Sequence, residues 1–183
     1  LTDGLLRPDE LAQALSMPAI ALTDICNLFG VVKFYQALQN AHKKLIIGAD
    51  LCVQHPAGFK FTITALCMDQ QGYVNLIELI SKAYLEGQAL GKPYVHLSWL
   101  EQYNAGLIIL SGALAGDVGQ GLLAGTADVS FWKTHFPHRY YLELQRVGKP
   151  REEFYIQAAL ALAEREQLPV VATNDVRFLS PDD

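Results

Sequence analysis

Residues 168–178 read LPVVATNDVRF: an apolar strand running into Thr173, Asn174 and Asp175, with Arg177 two positions on. A carboxylate at a strand exit can hold a divalent cation or act as a general acid or base. A guanidinium beside it is protonated at any relevant pH and competes for the same anion. Two more carboxylates occupy comparable places: Asp24 follows Thr23 after the apolar AIAL at 19–22, and Asp50 closes Gly48-Ala49-Asp50 within a second apolar run. Brought to one rim, the three would suit metal or acid–base chemistry. The same residues serve as well in bland roles, Asp24 and Asp175 capping the turn or helix that follows and Asp50 pairing locally.

Histidines bear on the choice, because zinc, manganese and iron sites that hydrolyse phosphate esters need several imidazoles. Of the five here, His42 ends a helical stretch beside Lys43, His96 opens HLSWLEQY, and His135 and His138 flank Pro137. His138 also precedes its strand, which puts it at the far end from the strand exits. His55, in the turn HPAG, is the one imidazole whose place near the rim stays open. Surface and capping roles account for all five. Carboxylates alone hold Mg²⁺ weakly, through water. The run GDVGQG at 116–121 lacks both the GxGxxG spacing and the Lys-Ser/Thr of a phosphate loop, and no GxSxG elbow is present. Cys26, Cys52 and Cys67 lie in apolar segments without CxxC spacing, which predicts buried, reduced thiols.

The elements that would position these groups alternate. Strands are predicted at 19–22, 45–53, 59–67, 106–111, 139–145 and 168–174. Helical spacing appears at 8–15, where proline and acids occupy the first turn, and at 29–42, with Val31, Phe34, Tyr35 and Leu38 as its apolar face. It recurs at 72–87, with Val74, Ile77, Ile80, Ala83 and Tyr84 as a stripe and Gly87 as C-cap, and at 151–166, which starts with acids. A short helix is expected at 96–103, and the Trp99 and Trp132 segments read as helix packing. Alternation of this kind predicts a parallel α/β sheet or barrel, in which reactive groups gather where strands end. The turn HPAG breaks the pattern and predicts a local hairpin.

With 183 residues, 51% of them apolar and 18% charged, the chain has the profile of one globular domain. Its net charge is −5 and its densest basic run only Lys43-Lys44. Binding nucleic acid through phosphate neutralisation needs a basic face, so little direct contact with DNA is expected. No apolar run reaches the ~18 residues of a membrane span, and the first residues lack the pattern of a signal peptide. A cytoplasmic protein is expected. The first and last residues read as cut, so a piece of a longer protein is expected, with residues 1–183 forming a single domain.

The blocks PAIALTDICNLFGVVKFYQAL, LIIGADLCV, GYVNLIELISKAY, GLIILSGALAGDVGQGLL, HFPHRYYLELQRVGKP and LPVVATNDVRFLSPDD occur in an order that resembles the PHP (polymerase and histidinol phosphatase) domains opening the bacterial replicative, C-family DNA polymerase III alpha subunits. The resemblance spans essentially the whole chain. It implies a distorted seven-stranded (β/α) barrel, similar to a TIM barrel, whose leading strand precedes the six predicted here. It also implies a metal site in which this chain has exchanged donors. The Thr-Asp-His block of the family reads Thr23-Asp24-Ile25, and its Gly-x-Glu reads Gly48-Ala49-Asp50. Thr62 stands where a hairpin-strand histidine is expected, Ala113 where a cysteine is, Val147 where the histidine after LELQ is, and Arg177 where the histidine of NDVH is.

Ile, Thr, Ala, Val and Arg cannot replace nitrogen or sulfur donors in a transition-metal cluster. The expected site is therefore a remnant of Asp24, Asp50, Asp175 and Arg177, with no metal and no catalytic residue. In it, Arg177 and Asp175, joined by Asp50, take the place of the cation as an electrostatic staple. At 3–4 Å and an effective dielectric near 20, such a pair is worth roughly 4 kcal/mol before desolvation. The resemblance further implies a structural and interaction module that needs no cofactor, with Mg²⁺ required only by a polymerase site downstream. The implied partners are the proofreading 3′–5′ exonuclease subunit and the remainder of the alpha subunit. The competing expectation is an active metal-dependent phosphoesterase or 3′–5′ exonuclease. A stand-alone barrel enzyme for a small metabolite has no motif behind it.

Overall fold

A computed structural model describes residues 7–174. Asp175 and Arg177, and any strand before residue 7, lie outside the described residues. The strands are β1 (Ala19–Leu22), β2 (Lys44–Gln54), β3 (Lys60–Cys67), β4 (Gln88–Ala89), β5 (Lys92–Pro93), β6 (Val95–His96), β7 (Leu107–Leu110), β8 (Tyr140–Leu144) and β9 (Val170–Ala172). The helices are α1 (Pro8–Ala14), α2 (Val31–Asn40), α3 (Gln70–Leu85), α4 (Leu97–Gln102), α5 (Asp117–Ala124), α6 (Ser130–His135) and α7 (Glu152–Glu166), with a 3₁₀ turn at Ala113–Ala115.

Among the described residues one curled, seven-stranded sheet runs β1-β2-β3-β7-β8-β9, and β6 also pairs with β2. β2 is long enough to pair with β1 along its first half and with β6 at its end, both parallel. The hairpin is present: β3 runs antiparallel to β2 from Gly48↔Leu66 to Gln54↔Lys60. Gly58, at φ +92°, closes its turn, and the His55 amide donates to the Phe59 carbonyl. β3 therefore points against both neighbours, and β7 returns antiparallel to it. β8 and β9 continue in parallel. All six strands expected from the sequence form. The seventh strand of the described sheet is β6, two residues whose place comes from the sheet and not from their own pattern.

Alternation along the strands separates two faces. Ala49, Leu51 and Val53 of β2 and Phe61, Ile63 and Ala65 of β3 point to the helix side and are almost wholly buried. They pack with Leu76, Leu79 and Ala83 of α3, Leu97 and Leu100 of α4, and Trp132 and Phe136. Trp132 lies stacked on Tyr140 at 4.9 Å between ring centres. The opposite face carries Asp50, Cys52, Thr62 and Thr64.

Two expected helix faces need correction. In α2 the buried residues are Val31, Phe34, Ala37 and Leu38, whereas Tyr35 turns outward and its hydroxyl takes a hydrogen bond from Gln39 Nε2 at 2.7 Å. In α3 the buried stripe is Gly72, Asn75, Leu76, Leu79 and Ala83, and Val74, Ile77 and Tyr84 are exposed. Both stripes satisfy helical spacing. The real one is disguised because its first turns hold a glycine and an asparagine, the latter donating to the Ala105 carbonyl at 2.8 Å. Gly87 also has a different role from the one expected. The C-cap is Glu86, and Gly87 is small because a Cβ there would lie 2.0 Å from the Tyr94 carbonyl oxygen.

Candidate functional site

One row of residues crosses the open face. Ile25 bridges Asp50, Asp50 pairs with Thr64, Thr64 with Leu110, and Leu110 with Tyr141. This is where the chain brings the exits of β1 and β7 and the start of β8 beside the middle of the β2–β3 hairpin. Asp50 accepts a hydrogen bond from Thr64 Oγ1 at 2.6 Å, so the local-pairing role open at the sequence level is present. Ile25 is 56% exposed and presents an alkyl chain next to that carboxylate.

Asp24 is joined to Asp50 through the backbone, its carbonyl accepting from the Asp50 amide at 3.2 Å. Its side chain goes elsewhere. It lies one step out of register with Asp50, and Oδ2 sits 3.1 Å from where a Cβ on Gly30 would be, just before α2. The two described carboxylates are thus neighbours in sequence register but directed differently. The third, Asp175, lies outside the described residues, as does Arg177.

The next row toward the strand exits holds Cys52 opposite Thr62. Gly112 stacks its backbone onto this row: a Cβ at 112 would lie 1.9 Å from the Thr62 carbonyl oxygen, and its φ of +75° favours glycine as well. Its amide donates to Glu143 Oε2 at 3.0 Å. Glu143, only 4% exposed, also accepts from Thr173 Oγ1 and from Gln145 Nε2, while its own backbone amide and carbonyl are held by Ser111 and Tyr155. This carboxylate ties the exits of β7, β8 and β9 together. The signal for it was an acid inside the alternating YYLELQ, where period two sends Glu143 to the open face with Tyr141.

Ala113 is buried at φ +47° and packs with Tyr155, Ile156 and Ala159 of α7. The Val147 amide, with that of Gly148, donates to Glu152 Oε2 at 2.9 Å. Glu152 is buried, and among the described residues its Oε1 has no hydrogen-bond partner. A cavity of about 230 Å³ opens there between Gly112, Ala113, Gln145, Lys149, Glu152 and Tyr155.

The cysteines differ from the expected uniform burial. Cys26 is buried, but Cys52 and Cys67 are only half-buried, because Cys52 belongs to the open face. The Cys52 amide donates to Cys26 Sγ at 3.3 Å. The Cys26 thiol, through a hydrogen bond, pulls the Cys52 thiol down to about 7, and the Lys92 and Lys60 charges work in the same direction. The same contact together with burial pushes the Cys26 thiol up. Burial also pushes Cys67 up to about 11.

The histidines occupy other surroundings. His55 stacks on Phe59 at 4.3 Å and accepts from the Ala57 amide through Nδ1. His96 packs against Trp99, and His135 against Phe131. His42 and His138 sit in left-handed turns at φ +55° and +59°. Among the described residues no group of three or more His, Cys, Asp or Glu side chains is arranged to hold a metal ion. Among the described residues a transition-metal cluster does not fit the donors: Asp50 has Ile25 and Thr64 in its row and Thr62 in the next, with Ala113 and Val147 further along, and these alkyl and hydroxyl side chains supply no nitrogen or sulfur ligand.

Residues 1–147 match the PHP domain family. The chain belongs to that family. Over all of its length it is 49% identical to the DNA polymerase III subunit alpha of Escherichia coli K12, 44% to that of Vibrio cholerae and 42% to that of Pseudomonas aeruginosa. It spans about a sixth of the length of these relatives, 17%, 17% and 16% respectively. Two solved structures share the fold at low identity. A protein described as a metal-dependent phosphoesterase, from Bifidobacterium adolescentis, superposes with a TM-score of 0.59 at 12% identity, over 98% of this chain and 85% of that one. An amidohydrolase from Chromobacterium violaceum does so with a TM-score of 0.61 at 14% identity, over 98% and 84%.

Proposed function

We propose that this chain works as a non-catalytic PHP domain within a DNA polymerase III alpha subunit, a cytoplasmic replication protein, where it is a structural and interaction module. The observation that carries the reading is the combination of 42–49% identity, across the whole of this chain, to part of such subunits with alkyl and hydroxyl side chains at Ile25, Thr62, Ala113 and Val147. A barrel of phosphoesterase type that keeps its shape without its donors keeps a scaffold, not a reaction. In this reading Asp50, Asp175 and Arg177 form the staple that replaces the cation, and Asp24 braces the turn into α2. The partners are the rest of the alpha subunit and the proofreading 3′–5′ exonuclease subunit. The net charge of −5 suits protein contacts better than DNA.

The experiment has two arms. Purified exonuclease subunit should co-elute with the protein on size exclusion, and separate elution counts against the docking role. Metal analysis and phosphoesterase assay form the other arm. Stoichiometric zinc or manganese, with turnover lost in Asp175→Asn, would replace this reading by that of an active metal-dependent phosphoesterase or 3′–5′ exonuclease.

A further inference from the structure

Cys26 and Cys52 belong to the loop after β1 and to the last part of β2, and no part of the proposed scaffold role uses them. Two hydrogen bonds fasten Cys26 to β2: its amide donates to the Asp50 carbonyl at 2.8 Å, and its Sγ accepts from the Cys52 amide at 3.3 Å. Strand alternation alone would point residue 26 away from the Asp50 side. The φ of +48° at Cys26, a left-handed conformation rare for a residue with a side chain, turns the thiol back onto the edge of β2 instead. Backbone held in this region motivates a functional hypothesis where it sets one particular atom in place. The atom placed is a sulfur, and its neighbour is the backbone of a second cysteine.

Accessibility divides the pair. Cys26 is 1% exposed, whereas Cys52 is half-buried on the open face of the sheet, on the same face as Thr62 and Asp50. We propose that Cys26 and Cys52 form a reversible intramolecular disulfide when the protein meets a hydroperoxide, making this pair a redox modification site. The Cys52 thiolate attacks the distal peroxide oxygen and the O–O bond breaks, giving a sulfenic acid and an alkoxide or hydroxide, which takes from solvent the proton that the Cys52 thiol had released and leaves as an alcohol or water. The Cys26 sulfur then attacks the Cys52 sulfur, hydroxide leaves, and it takes up the Cys26 proton as water. The two thiols lose two electrons and the peroxide gains them. A small dithiol reverses the bond by exchange. One sulfur already lies 3.3 Å from its partner's backbone amide, which sets the two cysteines side by side, as a disulfide requires. The bond would lock the loop carrying Asp24 and Ile25 to the hairpin, at the mouth of the barrel.

The test weighs peptides from the native, full-length protein. It is exposed to hydrogen peroxide, unfolded and alkylated, and digested without reductant. The expected product is a linked pair containing Cys26 and Cys52, lighter by two hydrogens than its parts and released by dithiothreitol, with Cys67 alkylated. Met17 and Met68, each 54% exposed, report by their sulfoxides that the oxidant has acted. In Cys26→Ser the linked pair is lost and Cys52 proceeds to the sulfinic acid. If native protein with both methionines oxidised still alkylates fully at Cys26 and Cys52, the inference is overturned. It is equally overturned if Cys52 gains two oxygens while Cys26 stays free.

Discussion

Asp117 opens α5 half-buried as a residue, with its carboxyl turned inward, and its surroundings make a measurable demand on pH. Trp132 Nε1 donates to Oδ2 at 2.8 Å, while Oδ1 is buried and has no hydrogen-bond partner among the described residues. Burial pushes the carboxyl from 3.8 up to about 6, against the opposing pull of the Trp132 hydrogen bond and the first amides of the helix. The folded protein thus binds a proton here more tightly than the unfolded chain. The resulting stabilisation is complete below pH ~4 and is lost as pH rises through about 6. At about 1.4 kcal/mol per pH unit over roughly two units, the ionised carboxylate costs about 3 kcal/mol above pH 7. Asp117→Asn keeps an acceptor for Trp132 and carries no charge. It should gain up to about 3 kcal/mol at pH 8, or roughly 6–12 °C in Tm for a domain of this size, and nothing below pH 4. Urea unfolding of both proteins at several pH values gives the difference curve, in which titrations common to both cancel. Trp132 fluorescence in a Trp99→Phe background should report a midpoint near 6 that vanishes in the variant. A difference independent of pH, or a loss of stability at pH 8, would refute the account of a buried, reluctant anion.

Glu143→Ala removes the acceptor shared by the Gly112 amide, Thr173 and Gln145, and should lower unfolding free energy by about 2–4 kcal/mol, measured by urea denaturation. Gly112→Ala forces a Cβ to within 1.9 Å of the Thr62 carbonyl at a left-handed φ and should destabilise by at least about 2 kcal/mol; an unchanged Tm would contradict the close approach. Arg146→Ala breaks an ion pair with Glu153 whose side chains are 69% and 64% exposed, and should change stability by less than about 1 kcal/mol, with the small effect fading in high salt. Outside the described residues, Arg177→Ala should lower Tm if the staple exists, and an unaltered melting curve would argue against it.

Local pattern made much of this protein legible. The alternation in LIIGADLCV and FKFTITALC, joined by HPAG, is enough to write the hairpin and to put Asp50, Cys52, Thr62 and Thr64 on one face, because a strand's period is two whatever surrounds it. Side-chain chemistry likewise needs no fold: Ile25, Ala113 and Val147 lack lone pairs wherever they are placed. The tertiary structure decided which groups meet. Only the pairing of β3 with β7 and of β7 with β8 brings Gly112 between Thr62 and Glu143. Only a left-handed turn at Cys26 sets its sulfur on Cys52. The buried stripe of α3 was settled by the Ala105–Gly106 turn against which Gly72 and Asn75 pack, not by hydrophobicity. Sequence fixes the period and chemistry of each element, while register between distant elements depends on long-range contacts whose energies no single segment contains.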